Sequence, residues 1–157
     1  RAIGVLAGTA DTARIAASGF ERGMAALRER YGARSNVRVF DEIWHEPLMT
    51  VNGAHMISDV IRLCGGSNVF ADLAPLTPVV ALEGVFAAQP QVVIGGSSAT
   101  TPEEFAAQWR RYERFARLRN VPAMFVDPDY IQRQTPRILQ GAEIVCRYLE
   151  QVRSSRR

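Results

Sequence analysis

The sequence predicts an α/β fold: a three-layer α/β/α domain with a mainly parallel sheet, preceded by a long helix. Apolar strand segments alternate with amphipathic helix segments, which is typical of a parallel sheet with right-handed crossovers. The chain has 157 residues, of which 47% are hydrophobic, enough for one domain with a substantial core. The first helical pattern has no strand before it, so we expect it to act as a strut.

The long helix is predicted to begin near Thr9 and Asp11 and to end at Gly32. One apolar stripe follows the helical period along this segment and consists of Phe20, Met24, Leu27 and Tyr31. We therefore expect residues 1–34 to hold this helix and its lead-in, residues 35–153 the α/β domain and residues 154–157 a tail. The chain lacks an initiating Met and a signal-like leader, so we expect it to begin within a longer gene product.

Three strands are predicted at residues 37–44, 91–94 and 121–126, where β-branched and aromatic residues are concentrated. Four further helices are predicted from their apolar spacing and end signals: Met56–Cys64 before Gly65-Gly66, Leu82–Ala88 before Pro90, an arginine-rich helix opening at Thr101, and a last helix capped by Thr135-Pro136 and ending near Val152. The clearest start signal is the capping box Thr101-Pro102-Glu103-Glu104.

All 19 basic residues are Arg, and the formal net charge is +3. The densest basic cluster, residues 110–119, shares its segment with Phe105, Trp109, Tyr112 and Phe115 at helical spacing. This pattern favours an amphipathic helix with a solvated basic face. No motif indicates a nucleic-acid partner, and no apolar run approaches the roughly 20 residues that cross a bilayer.

Three loops follow the carboxyl ends of the predicted strands, the edge at which open α/β sheets bind ligands. They are residues 44–50, 95–101 and 127–133, which supply bulky apolar side chains, small polar side chains, and a carboxylate with a guanidinium group. This combination suits a large, mostly apolar ligand with polar fringes better than it suits bond breaking.

Signals for catalysis are weak. Ser97 and Ser98 follow glycines but lack the Gly-x-Ser-x-Gly elbow of a hydrolase. Gly95-Gly96 lacks both the lysine of a phosphate loop and the spaced glycines of a dinucleotide site, and instead favours a tight turn. A small α/β enzyme of hydrolase type, with Ser97 or Ser98 near His45, is the remaining catalytic alternative.

Metal and acid–base signals are equally weak. His45 and His55 have no partner at metal-ligand spacing, and we expect His45 on an exposed loop. Asp41 and Glu42 are adjacent on a strand, so their side chains should point to opposite faces rather than converge. We therefore predict no catalytic residues, no metal site and no cofactor.

Spacing alone does not decide whether Cys64 and Cys146 are two buried free thiols or form a disulfide. A bridge would close a loop of about 80 residues, which the chain-entropy model values at roughly 4–5 kcal/mol. It would also imply an oxidising compartment.

Several segments resemble a known family. IWHEPLMTVNG, HMISDVIRLCGGSNVFADL and ALEGVFAAQPQVVIGG together resemble the carboxyl-terminal lobe of periplasmic cobalamin-binding proteins. These are receptors of ABC importers in which one rigid helix joins two lobes. DPDYIQRQTPRIL and the later cysteine fit the same pattern, and LAGTADTARIAASGF resembles the run into the interlobe helix.

The resemblance implies a solute-binding component of an ABC transporter, periplasmic or lipid-anchored, that carries a corrinoid to the membrane permease and is not an enzyme. The same receptor fold serving haem or a ferric siderophore is the alternative within this class, and a pure interaction module lies outside it. The ligand-binding residues that it implies are Trp44, Pro47, Leu48, Met49, Thr50, Leu76, Thr77, Asp129 and Arg133.

The resemblance assigns two further features. It places the family's disulfide on Cys64 and Cys146, and its permease-docking carboxylate on Glu83. The alternative for Glu83 is favourable electrostatics at a helix start that Ala81 cannot cap. The alternative for Asp129 and Arg133 is a local surface ion pair.

An amino-terminal lobe is missing from this chain, so we expect half a binding site. Binding by this fragment should be weak, because a ligand held on one side buries less surface. The apolar loops should then face solvent or a neighbouring molecule, which favours self-association.

Overall fold

The computed structural model describes residues 2–156. Four strands and seven helices follow one another along the chain: α1 Ala2–Leu6, α2 Ala10–Tyr31, β1 Val37–Glu42, α3 Met56–Leu63, β2 Gly66–Asn68, α4 Leu82–Ala88, β3 Val92–Gly95, α5 Pro102–Arg110, β4 Ala123–Phe125, α6 Pro128–Ile131 and α7 Ile138–Ser154. The alternation of strands and helices confirms the predicted α/β class.

The strands form one parallel sheet in the order β2-β1-β3-β4. Three of the strands were predicted; β1 and β4 are shorter than predicted by two and three residues, and β3 is shifted by one residue. The sequence prediction missed β2, because Gly66-Ser67-Asn68 has none of the β-branched or aromatic residues that mark a strand. Parallel pairing with Val37–Val39 of β1 holds this segment in the strand conformation, although its own residues do not favour it.

Alternation along the strands separates two cores. Val39 and Ile94 belong to the larger core, which α2, α3 and α7 cover. Phe40 and Val93 belong to the smaller core, which contains Val85 of α4 together with side chains of α5. Helices therefore cover both faces of the sheet, as the three-layer prediction required.

The carboxyl-terminal half of α2 packs onto the domain through the predicted stripe. Met24 and Leu27 pack against the larger core, and Tyr31 is buried within it. Gly23 allows a close helix crossing, since a Cβ added there would lie 2.6 Å from the Leu139 side chain. The amino-terminal half of α2 is exposed, and Ile15 retains 70% of its surface.

The arginine-rich helix is shorter than predicted. The capping box is present, with Thr101 and Glu104 bonded to each other's backbone, but α5 ends at Arg110. The chain then turns, with i to i−3 bonds such as Phe115 N to Tyr112 O at 3.0 Å. Such turns keep nearly the residue spacing of a helix, with Tyr112 packed against the smaller core and Phe115 partly exposed, which explains the wrong prediction for residues 111–119.

The start of the last helix also differs from the prediction. Arg137, not Thr135, occupies the N-cap position of α7, and no side chain caps the helix. The Thr135 carbonyl accepts from Ile138 N at 3.0 Å, so the segment enters the helix through a backbone turn. A short helix that was not predicted, α6, precedes it and is capped by Asp127.

A disulfide joins Cys64 to Cys146, as the resemblance implied. It ties the carboxyl end of α3 to the middle of α7, deep in the larger core. Arg153, about two turns after Cys146 on α7, is also buried and donates to the carbonyls of Ser35, Cys64 and Gly65. These two connections fix the same junction, one covalently and one by hydrogen bonds.

Candidate functional site

All four strands run in parallel, so the loops that follow them leave the same edge of the sheet, here called the carboxyl edge. These loops are residues 43–55, 69–81, 96–101 and 126–137. The prediction that three sequence segments meet at one edge is therefore confirmed. The loop after the unpredicted strand β2 adds a fourth segment.

Backbone hydrogen bonds join the first loop, residues 43–55, to the second loop, residues 69–81. Thr50 N donates to Pro78 O at 3.0 Å, and Asn52 N donates to Leu76 O at 3.0 Å. In the opposite direction, Val80 N donates to Leu48 O at 2.9 Å. The two loops therefore form one continuous wall of the carboxyl edge.

This wall presents bulky apolar side chains to solvent. Trp44 is 48% exposed and Leu76 is 51% exposed. Leu48 and Met49 are half-buried beside them, and the Trp44 indole Nε1 donates to Glu46 O at 2.8 Å. Since the indole N–H is satisfied within its own loop, the exposed ring can offer an apolar face without leaving a polar group unpaired.

Pro47 and Thr77 complete the predicted apolar set. Both are exposed on this wall, and Pro47 follows a cis peptide bond. Thr50 is the exception among the nine predicted ligand residues, because its side chain is fully buried and its hydroxyl has no hydrogen-bond partner. Its backbone N–H joins the two loops through Pro78 O, so in this structure Thr50 supports the wall rather than lining it.

The polar candidates lie beyond β4 on the same edge. Arg133 Nε contacts Asp129 Oδ1 at 2.9 Å, and both side chains are about half-exposed or more. The local ion pair considered from the sequence is therefore present. Nearby, Gln132 Nε2 donates to Gly96 O at 3.1 Å, which connects this segment to the loop after β3.

The tight turn predicted at Gly95-Gly96 lies two residues later, where Thr100 N donates to Ser97 O at 3.1 Å. Gly95 is the last residue of β3, and Gly96 N still donates to Glu42 O at 3.2 Å. The φ angles of Gly95 and Gly96 are 137° and 144°, a region that side chains rarely adopt. A Cβ on Gly95 would lie 2.0 Å from Glu42 O. Only glycine lets β3 end against β1 at this edge.

A buried polar network that the sequence did not reveal lies below the first loop. Glu42 is 3% exposed and accepts hydrogen bonds from Trp109 Nε1 at 2.6 Å and Gln108 Nε2 at 3.0 Å. His45 Nδ1 lies 3.4 Å from the same carboxylate and also contacts Gln108. The expectation that His45 is an exposed loop residue is therefore wrong, because this network holds its ring half-buried.

Burial dominates the electrostatics of the adjacent carboxyl groups. Burial raises the pKa of Glu42, and the hydrogen bonds and His45 offset only part of that effect. Burial first, and the Glu42 charge second, raise the pKa of Asp41 to about 8. Asp41 lies on the opposite face of β1 from Glu42, as predicted, and its Oδ2 has no hydrogen-bond partner.

The contacts of Ser97 and His45 do not form the nucleophile–base pair that a hydrolase would need. Ser97 Oγ hydrogen-bonds Thr100 Oγ1 at 2.8 Å, while His45 Nδ1 faces Glu42 and Gln108. Within residues 2–156, no group of three or more His, Cys, Asp or Glu side chains could hold a metal ion.

Glu83 lies in the first turn of α4 and is exposed. No side chain caps this helix, in agreement with the prediction for Ala81. The helix begins directly after the wall, where Val80 bonds Leu48, so Glu83 lies near the same edge as the apolar residues.

A second apolar surface runs along the exposed half of α2. It is a groove of about 670 Å³ whose lining includes Ala13, Ala17 and Phe20 of α2, Met56 of α3 and Ile138 of α7. This groove adjoins the loop before α7, so it continues towards the carboxyl edge.

Solved structures define the class of this fold. A haem-binding periplasmic protein of Vibrio cholerae matches with a TM-score of 0.75 at 15% identity, covering 94% of this chain and 60% of its own. An iron-binding solute-binding protein of Staphylococcus epidermidis matches with a TM-score of 0.77 at 18% identity, covering 90% and 56%. At such identities the comparison shows the fold alone: this α/β arrangement also occurs in part of those two proteins.

Closer similarity is to vitamin B12-binding proteins. The chain is 35% identical over 141 residues to that of Vibrio parahaemolyticus, and 31% identical over 142 residues to that of Yersinia pestis. The crystal structure of the Vibrio cholerae protein matches with a TM-score of 0.76 at 31% identity, covering 87% of this chain and 53% of that one. The chain is thus homologous to one half of the vitamin B12-binding proteins, which confirms the resemblance found in the sequence.

The coverage defines what the homology includes. The alignments take in 90% of this chain but only 50% and 49% of those two relatives, so the chain spans about half their length. The relatives carry the names of binding proteins rather than enzymes. No protein-family model matches the chain. None of the helices within residues 2–156 is long and apolar enough to cross a membrane.

Proposed function

We propose that this chain is one lobe of an extracytoplasmic receptor that binds cobalamin, or a related corrinoid, for an ABC importer. The observation that carries the proposal is the apolar wall of two joined loops, with Trp44 and Leu76 exposed at the carboxyl edge. The homologous proteins are named for vitamin B12 binding, which supports a corrinoid over haem or a siderophore. The disulfide suits a periplasmic location.

In this proposal the apolar side chains pack on the corrin edge. Trp44 and Leu76 supply the largest exposed area, with Pro47, Leu48, Met49 and Thr77 around them. Met49 suits an irregular apolar surface, because its thioether side chain is flexible. Asp129 and Arg133 would exchange their mutual ion pair for hydrogen bonds to the amide side chains of the corrin ring. Exposed ion pairs contribute well under about 1 kcal/mol, so the exchange costs little.

The permease is the second proposed partner. Glu83 is exposed on α4 beside the wall. Its carboxylate is therefore accessible to a basic surface of the permease. A reversal of its charge should weaken docking to the permease and leave ligand binding unchanged, since Glu83 does not belong to the wall.

The remaining half of the receptor is the third proposed partner. The groove along α2 is an apolar surface that a second lobe would cover. In the isolated chain we expect copies to associate through it instead. Sedimentation velocity should show concentration-dependent association that Ala16→Glu, an exposed change in the groove lining, reduces. A monomer at all concentrations would contradict this expectation.

Ligand titration tests the central proposal. The isotope-labelled 157-residue chain is titrated by NMR with cyanocobalamin, haem and a ferric hydroxamate, each to about 1 mM, since one-sided contact should be weak. We expect cyanocobalamin to shift amide signals of the wall residues at the lowest concentration. Trp44→Ala should reduce these shifts, whereas Arg147→Ala, an exposed change on α7, should not. Shifts absent from the wall, or haem acting at lower concentration, would overturn the corrinoid assignment.

A further inference from the structure

A polar groove opens at the opposite edge of the sheet from the apolar wall. It has a volume of about 630 Å³ and lies where β1, β3 and β4 begin, next to the last turn of α7. Its lining includes Arg38 of β1, the turns before β3 and β4, and the residues that end α7. The groove therefore shares no residue with the site proposed for the corrinoid.

Four arginines line this groove, and no Asp or Glu does: Arg38, Arg117, Arg119 and Arg156. The salt bridges within the described part of the chain engage other arginines, Arg14, Arg62, Arg133 and Arg153. Among residues 2–156, no carboxylate therefore forms a salt bridge with the arginines of the groove. An anion that enters the groove gains attraction from several directions at once.

Arg38 is held in place by the turn opposite it. Its Nε donates to Gln89 O at 3.0 Å, and its backbone N donates to Gln91 Oε1 at 2.8 Å. The terminal guanidinium nitrogens remain without a protein acceptor in the described residues. A pre-positioned guanidinium loses less conformational entropy when it binds a ligand.

The two turns that border the groove have unusual backbone geometry. Gln89 and Asn120, with φ angles of 48° and 62°, are the non-glycine residues of the described chain in the left-handed region. Both line the groove. That conformation costs free energy for residues with a side chain, and it bends the chain so that Arg119 and Arg38 border the same space.

The lining also limits the kind of anion. Arginine forms paired hydrogen bonds with phosphate oxygens, and several arginines around a concave space suit linked phosphate groups better than one. No aromatic residue lines the groove, so it offers no surface on which a nucleobase could stack. A concave groove fits a small anion better than the flat surface of a membrane. We propose that this groove binds a soluble oligophosphate, a ligand with two or more linked phosphate groups.

Inorganic tripolyphosphate is a suitable probe for calorimetric titration of the 157-residue chain. We expect saturable binding that weakens as salt concentration rises. Arg38→Gln and Arg119→Gln should each weaken binding by about tenfold or more, as expected for hydrogen bonds to charged groups. Arg38→Lys should fall between wild type and Arg38→Gln, because it keeps the charge but loses the paired geometry.

Arg111→Gln is the matched control, because Arg111 is exposed in the same basic segment but does not line the groove. It removes the same charge and should leave the affinity unchanged. An equal loss in this control would overturn the site in favour of diffuse attraction, and so would no binding at about 1 mM probe. Binding to phosphatidylglycerol vesicles without binding of tripolyphosphate would replace the proposal with a membrane surface. Circular dichroism verifies that each variant remains folded.

Discussion

Trp109 donates its indole N–H to Glu42 across the smaller core, with 2.6 Å between Nε1 and Oε2. The two residues are 67 positions apart, one at the end of β1 and one on α5, and both are buried. This bond places a carboxylate directly below the first loop of the carboxyl edge, where it also faces His45. The network thus links the packing of α5 to the position of the apolar wall.

Glu42→Ala should destabilise the protein by about 2–4 kcal/mol, because the buried N–H groups of Trp109 and Gln108 would lose their acceptor. Glu42→Gln keeps one acceptor oxygen, but its amide nitrogen would face the donor of Trp109 or Gln108, so its effect should be about 1–2 kcal/mol and smaller than that of Glu42→Ala. Urea unfolding followed by tryptophan fluorescence measures both values. Equal stability of Glu42→Ala and wild type would show that the network contributes nothing to the fold.

Asp41 should make stability fall as pH rises. The folded protein keeps this carboxyl protonated up to a pKa of about 8, whereas the unfolded chain releases the proton above about pH 3.9. Its stabilising effect is therefore complete at acid pH and is lost as pH rises towards 8. Urea unfolding between about pH 6 and 7.5 should show a loss that is larger in wild type than in Asp41→Asn by roughly 1–2 kcal/mol. The raised pKa of Glu42 acts in the same direction, but both proteins share it.

His55 changes stability in the opposite direction, because burial lowers its pKa. It is present in both proteins, so the difference between wild type and Asp41→Asn removes its contribution. Parallel pH curves for the two proteins would contradict the protonated state of Asp41.

Local signals explain most of what the sequence predicted. Thr101 and Glu104 define the start of α5 within four residues, and α4 was predicted with its observed bounds because Leu82–Ala88 ends before Pro90. The residues of β2 carry no comparable signal, since Gly66–Asn68 becomes a strand only through pairing with β1. Local pattern determined these elements, and tertiary contact determined the missed strand.

The candidate site was predicted less completely, for a related reason. The segments of the wall could be found because they follow strands, but their union depends on bonds such as Thr50 N to Pro78 O, which join loops distant in sequence. The burial of Thr50 and the link from Glu42 to Gln108 depend on which faces pack together. Alternation along β1 places Glu42 on the same face as Phe40, and this was the available signal for its burial.

The disulfide should supply much of the stability of the larger core. Cys64 and Cys146 are 82 residues apart, so the chain-entropy model gives roughly 4–5 kcal/mol for the bridge. Thermal unfolding with and without a phosphine reductant should show a large fall in Tm. The double variant Cys64→Ala/Cys146→Ala should unfold at the lower temperature and should not respond to the reductant. If the reductant lowers the Tm of that variant too, the fall in Tm of the wild type does not come from loss of the disulfide.

Arg153 should contribute as strongly as a core residue, although it is charged. Its side chain is 5% exposed and donates to Ser35 O at 2.8 Å, Cys64 O at 2.8 Å and Gly65 O at 3.0 Å. Arg153→Met removes the donor to Ser35 O and Cys64 O and leaves Gly65 O with only Val37 N at 3.4 Å, so it should cost about 3 kcal/mol in urea unfolding. Arg147→Met, an exposed change on the same helix, should stay within about 0.5 kcal/mol.

Arg153→Lys separates charge from geometry at this position. A lysine ammonium carries the same charge, but it cannot reach the three carbonyls in the fixed fork of a guanidinium group. We therefore expect Arg153→Lys to lose most of the stability that Arg153→Met loses, as measured by the same urea unfolding. Full stability in the lysine variant would mean that the charge alone matters, and that the bonds to Ser35, Cys64 and Gly65 do not hold the end of α7 against the turn after α3.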